Sequence, residues 1–373
     1  MRPQRLRIGV DARAAAEVPA GRGRYVRELV RALVELDTGA DLVLYEREPW
    51  EVDGTRQRLV RTRDPFWAGH AGALAARECD VVYATNSFLM AAVAGRRSVA
   101  MVHDLFGLDG RFGAPPGGRL ERATLPLAAR RAAGFICNSE ATRADLLRLR
   151  PELSARAAVV PLGVDERFRD AERSDVPERH GLTGDYVLAV GTIEPRKNLP
   201  RLVGAYEGLP VELRERHRLA IAGGSGWKDT ETERLARTRN DIVMLGYVDD
   251  DELPGLYAGA SVFAFPSLAE GFGLPVLEAM AAGTAVVTSD RSSLSEIAGD
   301  AAALVDPEDV ASIRAALAGV LTDAATRTGL EQRGRARSAE FSWRRTAQET
   351  LDYLTSVTST FAAGKSRERN VSS

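Results

Sequence analysis

The sequence predicts an α/β protein of two doubly wound, parallel-sheet domains, and three observations carry that prediction. Short apolar runs rich in Val and Ile alternate with helical patterns along the whole chain, as strands covered on both faces and joined by helical crossovers do. The runs form two sets of six, one in each half of the chain, which argues for two sheets rather than one. Between the sets lies a charged stretch, residues 165–185, broken by Pro177 and Gly181 and without an apolar period.

In the first half, the apolar runs place strands at Leu6–Val10, Leu42–Tyr45, Val81–Ala84, Val99–Val102, Phe135–Cys137 and Ala158–Val160. In the second half they place them at Tyr186–Val190, Leu219–Ala222, Ile242–Leu245, Val262–Phe265, Ala285–Thr288 and Ala302–Val305. Helical patterns fill the intervals at Gly23–Glu35, Ser139–Arg150, Leu199–Gly208, Glu231–Arg239, Pro275–Ala282 and Glu308–Leu321. The resulting domains are 1–170 and 185–345. Residues 346–373 form a C-terminal helix expected to return to the first domain, closing in a frayed tail, "AAGKSRERNVSS".

Bulk properties narrow the function classes. A length of 373 residues fits two domains at roughly 150 each. Fifty basic and 52 acidic residues leave a net charge of −2, so no global field points to nucleic acid. The two cysteines, Cys79 and Cys137, sit in apolar strand-like runs, which excludes a disulfide scaffold and fits a reducing cytoplasm. The N-terminal "MRPQRLRIGV" is too short before Asp11 for a signal-peptide core. The longest uncharged run, Leu253–Ala269, is broken by prolines and glycines and is no membrane span.

Ligands of open α/β sheets lie at the carboxyl ends of strands, and several strand ends here carry residues that a core does not need. "VGTIEPRKNL" ends a strand at Gly191, sets Arg196 beside Lys197, and offers Asn198 as a helix cap. Adjacent Arg and Lys suit a diphosphate leaving group, and the plainer reading is a solvated basic turn. "AIAGGSGW" puts Gly223, Gly224 and Gly226 after another strand, where a ligand can approach the backbone or a tight turn simply forms. His103 and Asp104 follow a first-half strand. His103 is a candidate for handling substrate hydroxyls with Asp104 orienting it, or a structural histidine bonded to backbone.

Gly21 and Gly23 end a long loop and open a helix, an anion-facing start without the spacing of a dinucleotide fingerprint. Asp249, Asp250 and Asp251 resemble a metal-binding D-x-D and are read instead as helix-capping acids. In "EGFGLPVLEAM", Pro275 suits a first helical position, so Gly271, Phe272, Gly273 and Leu274 present backbone N–H groups at the helix start. Glu270 and Glu278 are carboxylates in an apolar stretch, and both are expected to face that mouth and grip hydroxyls.

These motifs together resemble the retaining GT-B glycosyltransferases of family 4, also called group 1. The likeness is densest from Gly191 to Pro307, through "GTIEPRKN", "LGYVDDDELPGLYAGASVFAFPSLAEGFGLPVLEAMAAGTAVVTSD" and "SEIAGDAAALVDP", and Glu270 with Glu278 forms the family's E-x7-E pair. The resemblance implies two Rossmann-like domains facing a central cleft, an acceptor-binding one at 1–170 and a nucleotide-sugar-binding one at 185–345. It implies transfer of a hexose from a nucleotide-diphosphate sugar to a glycan, lipid-linked or small-molecule acceptor, with no cofactor and no metal.

By matching position, Arg196 and Lys197 would bind the diphosphate, Glu270 the donor sugar and Glu278 the ribose. Backbone at Gly271–Leu274 would meet sugar and phosphates, Val248 would lie near the base, and His103 by the reacting sugar. Thr192 stands where many members carry Arg, as in mannosyltransferase-like members, which points to GDP-mannose ahead of a UDP-sugar. A UDP-sugar 2-epimerase and a non-catalytic partner of the same fold are the alternatives. The basic, apolar segment "GGRLERATLPLAARRAAGF" adds an expected peripheral contact with membrane lipid.

Overall fold

Seven parallel strands make the first sheet: β1 (Arg7–Asp11), β2 (Asp41–Glu46), β3 (Arg56–Leu59), β4 (Val81–Ala84), β5 (Ser98–Val102), β6 (Gly134–Cys137) and β7 (Ala157–Val159), in the order β3-β2-β1-β4-β5-β6-β7. The structure is a computed structural model and describes residues 5–19, 21–109, 112, 118–224 and 239–371. The expected helix Glu231–Arg239, but for its last residue, and Gly226 lie outside the described residues.

Six parallel strands make the second sheet: β8 (Asp185–Val190), β9 (His217–Ala222), β10 (Ile242–Gly246), β11 (Val262–Phe265), β12 (Val286–Ser289) and β13 (Ala303–Val305), in the order β10-β9-β8-β11-β12-β13. In both sheets the strand order reverses beside the first strand of its half, the topology that opens a crevice at the carboxyl edge. Each sheet has its own core. In the first, Tyr45, Trp67, Val82, Val102 and Phe135 are buried together; in the second, Val187, Leu202, Tyr206, Ile221, Val262 and Ile313.

The chain divides into two units, residues 1–163 with 343–373, and residues 164–342. Residues 165–185, expected as a linker, belong to the second unit. They form short helices at Glu166–Arg169 and Val176–Arg179, anchored by buried Val164, Phe168 and Val176. Three apolar anchors so far apart make no period in the sequence, although the Phe168 ring packs 5.8 Å from that of Tyr257.

The helix Trp343–Val371 packs in the first unit, where the Tyr353 hydroxyl donates to the Arg156 carbonyl at 2.7 Å and the Trp343 ring meets that of Tyr25. Residues 362–371 of the tail expected to fray continue this helix, although Gly364, Ser366 and Asn370 among them are weak helix formers. Strand β3 was not expected. Its sequence, RQRL, is exposed throughout, so this edge strand carries no hydrophobic signal, and its charges protect an open edge. Among the described residues no helix is long and apolar enough to cross a membrane.

Candidate active site

On the second unit, the carboxyl edge of the sheet collects most of the residues singled out above. β8 runs into Gly191, and a 3-10 turn, Pro195–Lys197, places Arg196 and Lys197 side by side. Asn198 stands at the N-cap position of the following helix, Leu199–Glu207, but its side chain makes no cap hydrogen bond. It adopts left-handed backbone (φ 61°), and its amide donates to the carbonyls of Pro266 at 2.9 Å and Pro307 at 2.7 Å, tying three strand-end loops together. β9 ends at Gly223, where a Cβ would stand 2.0 Å from the Gly191 carbonyl oxygen. Only glycine lets these two strand ends lie so close.

Glu270, beyond β11, is the hub of this edge. Lys197 Nζ donates to its Oε1 at 2.9 Å, and the Arg196 guanidinium pairs with Oε2. Arg196 also pairs with Glu194 and donates to the Ala269 carbonyl at 2.8 Å, while Lys197 Nζ lies 4.6 Å from the centre of the Phe265 ring. The hydroxyls of Ser292 and Ser293 donate to the Glu270 carbonyl, fixing its backbone. Burial pushes the Glu270 carboxyl up, but the charges of Arg196 and Lys197 prevail and bring it to about 2. Burial lowers the Lys197 ammonium in spite of Glu270. The four ionic groups, Glu194, Arg196, Lys197 and Glu270, sum to zero. Glu270 is thus an ion-pair partner of the two cations, where the sequence had placed it free to meet hydroxyls.

Glu278 sits on the helix Leu274–Ala281, which begins after Gly273 with Pro275 in its first turn. Its carboxylate is buried and receives the Tyr257 hydroxyl at 3.0 Å. Phe272 and Val248 are buried too, so only backbone is offered there; Tyr247 next to Val248 is 56% exposed, an aromatic the sequence reading passed over. Asp249–Asp251 do not cap a helix. The helix Leu253–Gly259 starts after Glu252 without a side-chain cap, and Asp250 and Asp251 reach Arg167 at 3.9 and 3.0 Å.

The first unit has its own polar edge. Gly21 stands before the helix Arg22–Glu35, and a Cβ on Gly23 would lie 1.8 Å from the Val18 carbonyl oxygen, so the loop packs on the bare helix start. His103, just past β5, donates from Nε2 to the Thr85 carbonyl at 2.9 Å; a carbonyl only accepts, so Nδ1 keeps its lone pair. Tyr25 meets the imidazole edge-on. Burial, then the charge of Arg22, lowers His103 to about 3, so it is neutral at physiological pH. Asp104 does not orient it: that carboxylate receives the Phe106 N–H at 3.3 Å. Thr85, Tyr257, Ser292 and Ser293, all absent from the sequence reading, are what hold the candidate residues. Nothing in their local sequence marks them, because each acts on a residue at least 18 positions away.

The description "Glycosyl transferases group 1" fits residues 170–337, and "Glycosyltransferase Family 4" fits residues 19–168. The O-antigen chain mannosyltransferase B of Escherichia coli is 39% identical over 221 residues, 57% of this chain and 58% of that protein. A D-inositol 3-phosphate glycosyltransferase of Xylanimonas cellulosilytica is 31% identical over 311 residues, 79% of this chain and 71% of the relative. The match thus spans little more than half the length of the first relative. A sucrose-phosphate synthase of Thermosynechococcus elongatus shares the fold, with a TM-score of 0.76 at 21% identity over 96% of this chain and all of the other.

Proposed function

The chain belongs to the group 1 glycosyltransferases of family 4, and on that premise we propose that it moves a hexose from a nucleoside-diphosphate sugar to an acceptor hydroxyl, retaining the anomeric configuration. The observation that carries this reading is the pair Arg196–Lys197 held at a strand-end mouth by a single buried carboxylate, Glu270. As the sugar–phosphate bond breaks, negative charge grows on the diphosphate, and two fixed cations stabilise that charge best where water is excluded. Because the cluster is neutral overall, the incoming diphosphate displaces Glu270 from its cations. Glu270 is then released toward the hexose, while Glu278 receives ribose hydroxyls from its helix.

His103, neutral and with its Nδ1 lone pair available, accepts a hydrogen bond from a sugar hydroxyl and carries no proton into the reaction. Mannose is the favoured hexose, since several relatives are named mannosyltransferases, and GDP the favoured carrier. The two cations take the role a metal plays elsewhere, so turnover is proposed to be metal-independent. The exposed face of the helix Gly118–Arg131 is proposed to rest on lipid near the acceptor.

A thermal-shift screen against GDP-, UDP-, ADP- and TDP-sugars identifies the donor, and NMR of the product reports its anomer. We expect GDP-mannose to give the largest shift and an α-linked product with EDTA present. An inverted product, or activity lost in EDTA and restored by Mn²⁺, would overturn this mechanism.

A further inference from the structure

A cavity of about 380 Å³ opens at the amino edge of the second sheet, at the opposite ends of β8 and β9 from Gly191 and Gly223. Asp185 and His217, the first residues of those two strands, line it together with Arg173, Arg216, and Arg327 and Glu331 of the helix Ala324–Ser338. A strand rises about 3.3 Å per residue, so the six residues of β8 put this cavity roughly 17–20 Å from the mouth that holds Arg196 and Lys197. Its volume lies in the range of small-molecule sites, about 300–1,000 Å³.

Two features of its wall call for a ligand. The guanidinium groups of Arg173, Arg216 and Arg327 stand against two carboxylates, Asp185 and Glu331, which leaves one positive charge in excess. Arg216 lies 3.3 Å from Asp185 and Arg327 3.9 Å from Glu331. Arg173 is exposed and has neither a hydrogen bond nor an ion pair among the described residues. His217 is the second feature. It is 3% exposed, and its Nδ1 donates to the Leu213 carbonyl at 3.1 Å, so Nε2 keeps its lone pair. That Nε2 lies 3.8 Å from the Asp185 carboxylate, which only accepts, and it has no donor among the described residues. Buried acceptors are almost always satisfied. Burial is the chief influence lowering the His217 pKa, and the charges of Arg216 and Arg327 add to it, so the ring is neutral at pH 7.

We propose that this cavity binds a phosphorylated sugar, with the phosphate on the three arginines and a sugar hydroxyl donating to His217 Nε2. A phosphate dianion supplies the negative charge that the surplus guanidinium lacks, and it accepts charge-assisted hydrogen bonds from the arginines. Hydroxyls supply the donors that Nε2 and the carboxylates of Asp185 and Glu331 can accept. Inorganic phosphate has the charge but few donors, and it leaves most of the volume empty. A neutral sugar has the donors and no charge. The site lies at the far edge of its sheet from Arg196, Lys197 and Glu270, and it stands whether or not the chain transfers a hexose.

Titration calorimetry of the full chain at pH 7, with and without GDP, tests the site with mannose 6-phosphate, inorganic phosphate and mannose. Mannose 6-phosphate should bind alike in both conditions and about fivefold or more tighter than inorganic phosphate, and mannose should not bind. Arg173→Ala changes an exposed side chain, so the variant should melt as wild type does while its affinity for mannose 6-phosphate falls about tenfold. The chain has four histidines. The ring NMR signals of His217 should move on adding mannose 6-phosphate, and those of His103 should stay. No binding, displacement by GDP, an Arg173→Ala effect under about twofold, an unmoved His217 ring, or equal affinity for inorganic phosphate or mannose overturns the site.

Discussion

Glu270 and Glu278 stand eight residues apart and do different work, one inside an ion cluster and the other against a tyrosine hydroxyl. Glu270→Ala leaves Lys197 without its acid and Arg196 with only Glu194. Removing one partner of a buried ion pair is strongly destabilising, on the order of 3 kcal/mol. The product nucleotide carries the missing anion, so its affinity in calorimetry should hold or rise while transfer falls. Glu278→Ala should weaken the same nucleotide by about one to two orders of magnitude. Tyr257→Phe, which keeps the carboxylate, should lose no more than about threefold. Equal losses from both alanine variants would mean that the two acids form one structural unit.

Asp11 gives a prediction of opposite sign to the usual carboxylate. Burial raises its pKa from 3.8 unfolded to about 6 folded, so the folded state binds more protons between those values. Stability therefore falls as pH climbs from about 4 to 6 and stays lower above, by roughly 3 kcal/mol from this group. Asp11→Asn should gain about that much at pH 7.5 in urea unfolding and almost nothing near pH 4. A gain that does not depend on pH would dissociate Asp11 from this titration.

His103, Arg196 and Lys197 were legible in the sequence because they stand where apolar runs stop, and the two glutamates because they are carboxylates within an apolar stretch. Asp11 was not, since one acid closing a strand looks like any strand end. Nor was the clamp on Glu270, since Lys197 lies 73 positions away and only the folded sheet brings the two loops together.

At the scale of elements, the strands with continuous apolar character were visible in the sequence and the polar edge strand β3 was not. The helix Gly118–Arg131 shows what a sequence pattern leaves open. Thr124, Leu125, Ala128 and Ala129 face the core, while Leu120 and Leu127 are almost half exposed among Arg119, Arg122, Arg130 and Arg131. Apolar side chains flanked by arginines suit an anionic lipid surface. Co-sedimentation should show binding that rises with the anionic lipid fraction and drops about tenfold in Leu120→Ser/Leu127→Ser. Binding equal on neutral vesicles would end the proposal. Both leucines are exposed, so the double variant should melt as wild type does.

The whole molecule is two units of unequal continuity. The second, residues 164–342, is one unbroken segment with its own sheet and core. Expressed alone, it should unfold cooperatively in calorimetry and still bind the nucleoside diphosphate, because Arg196, Lys197, Glu270 and Glu278 are all within it. A molten fragment without nucleotide binding would show that its edge needs the first unit. Residues 1–163 alone should be less stable, having lost the Trp343–Val371 helix.

That last helix sets an order of events in time. Tyr353 packs so closely that a Cβ on Gly134 would lie 2.4 Å from its hydroxyl, and Trp343 covers Tyr25. These contacts form only after the 179 residues of the inserted unit have been made. At about 5–20 residues per second, that is a wait of roughly 9–36 seconds on the ribosome. Throughout it the first sheet, complete in its strands, has one apolar flank uncovered. The nascent chain is most exposed to aggregation and to chaperone capture in that interval, and the second unit finishes folding before the first.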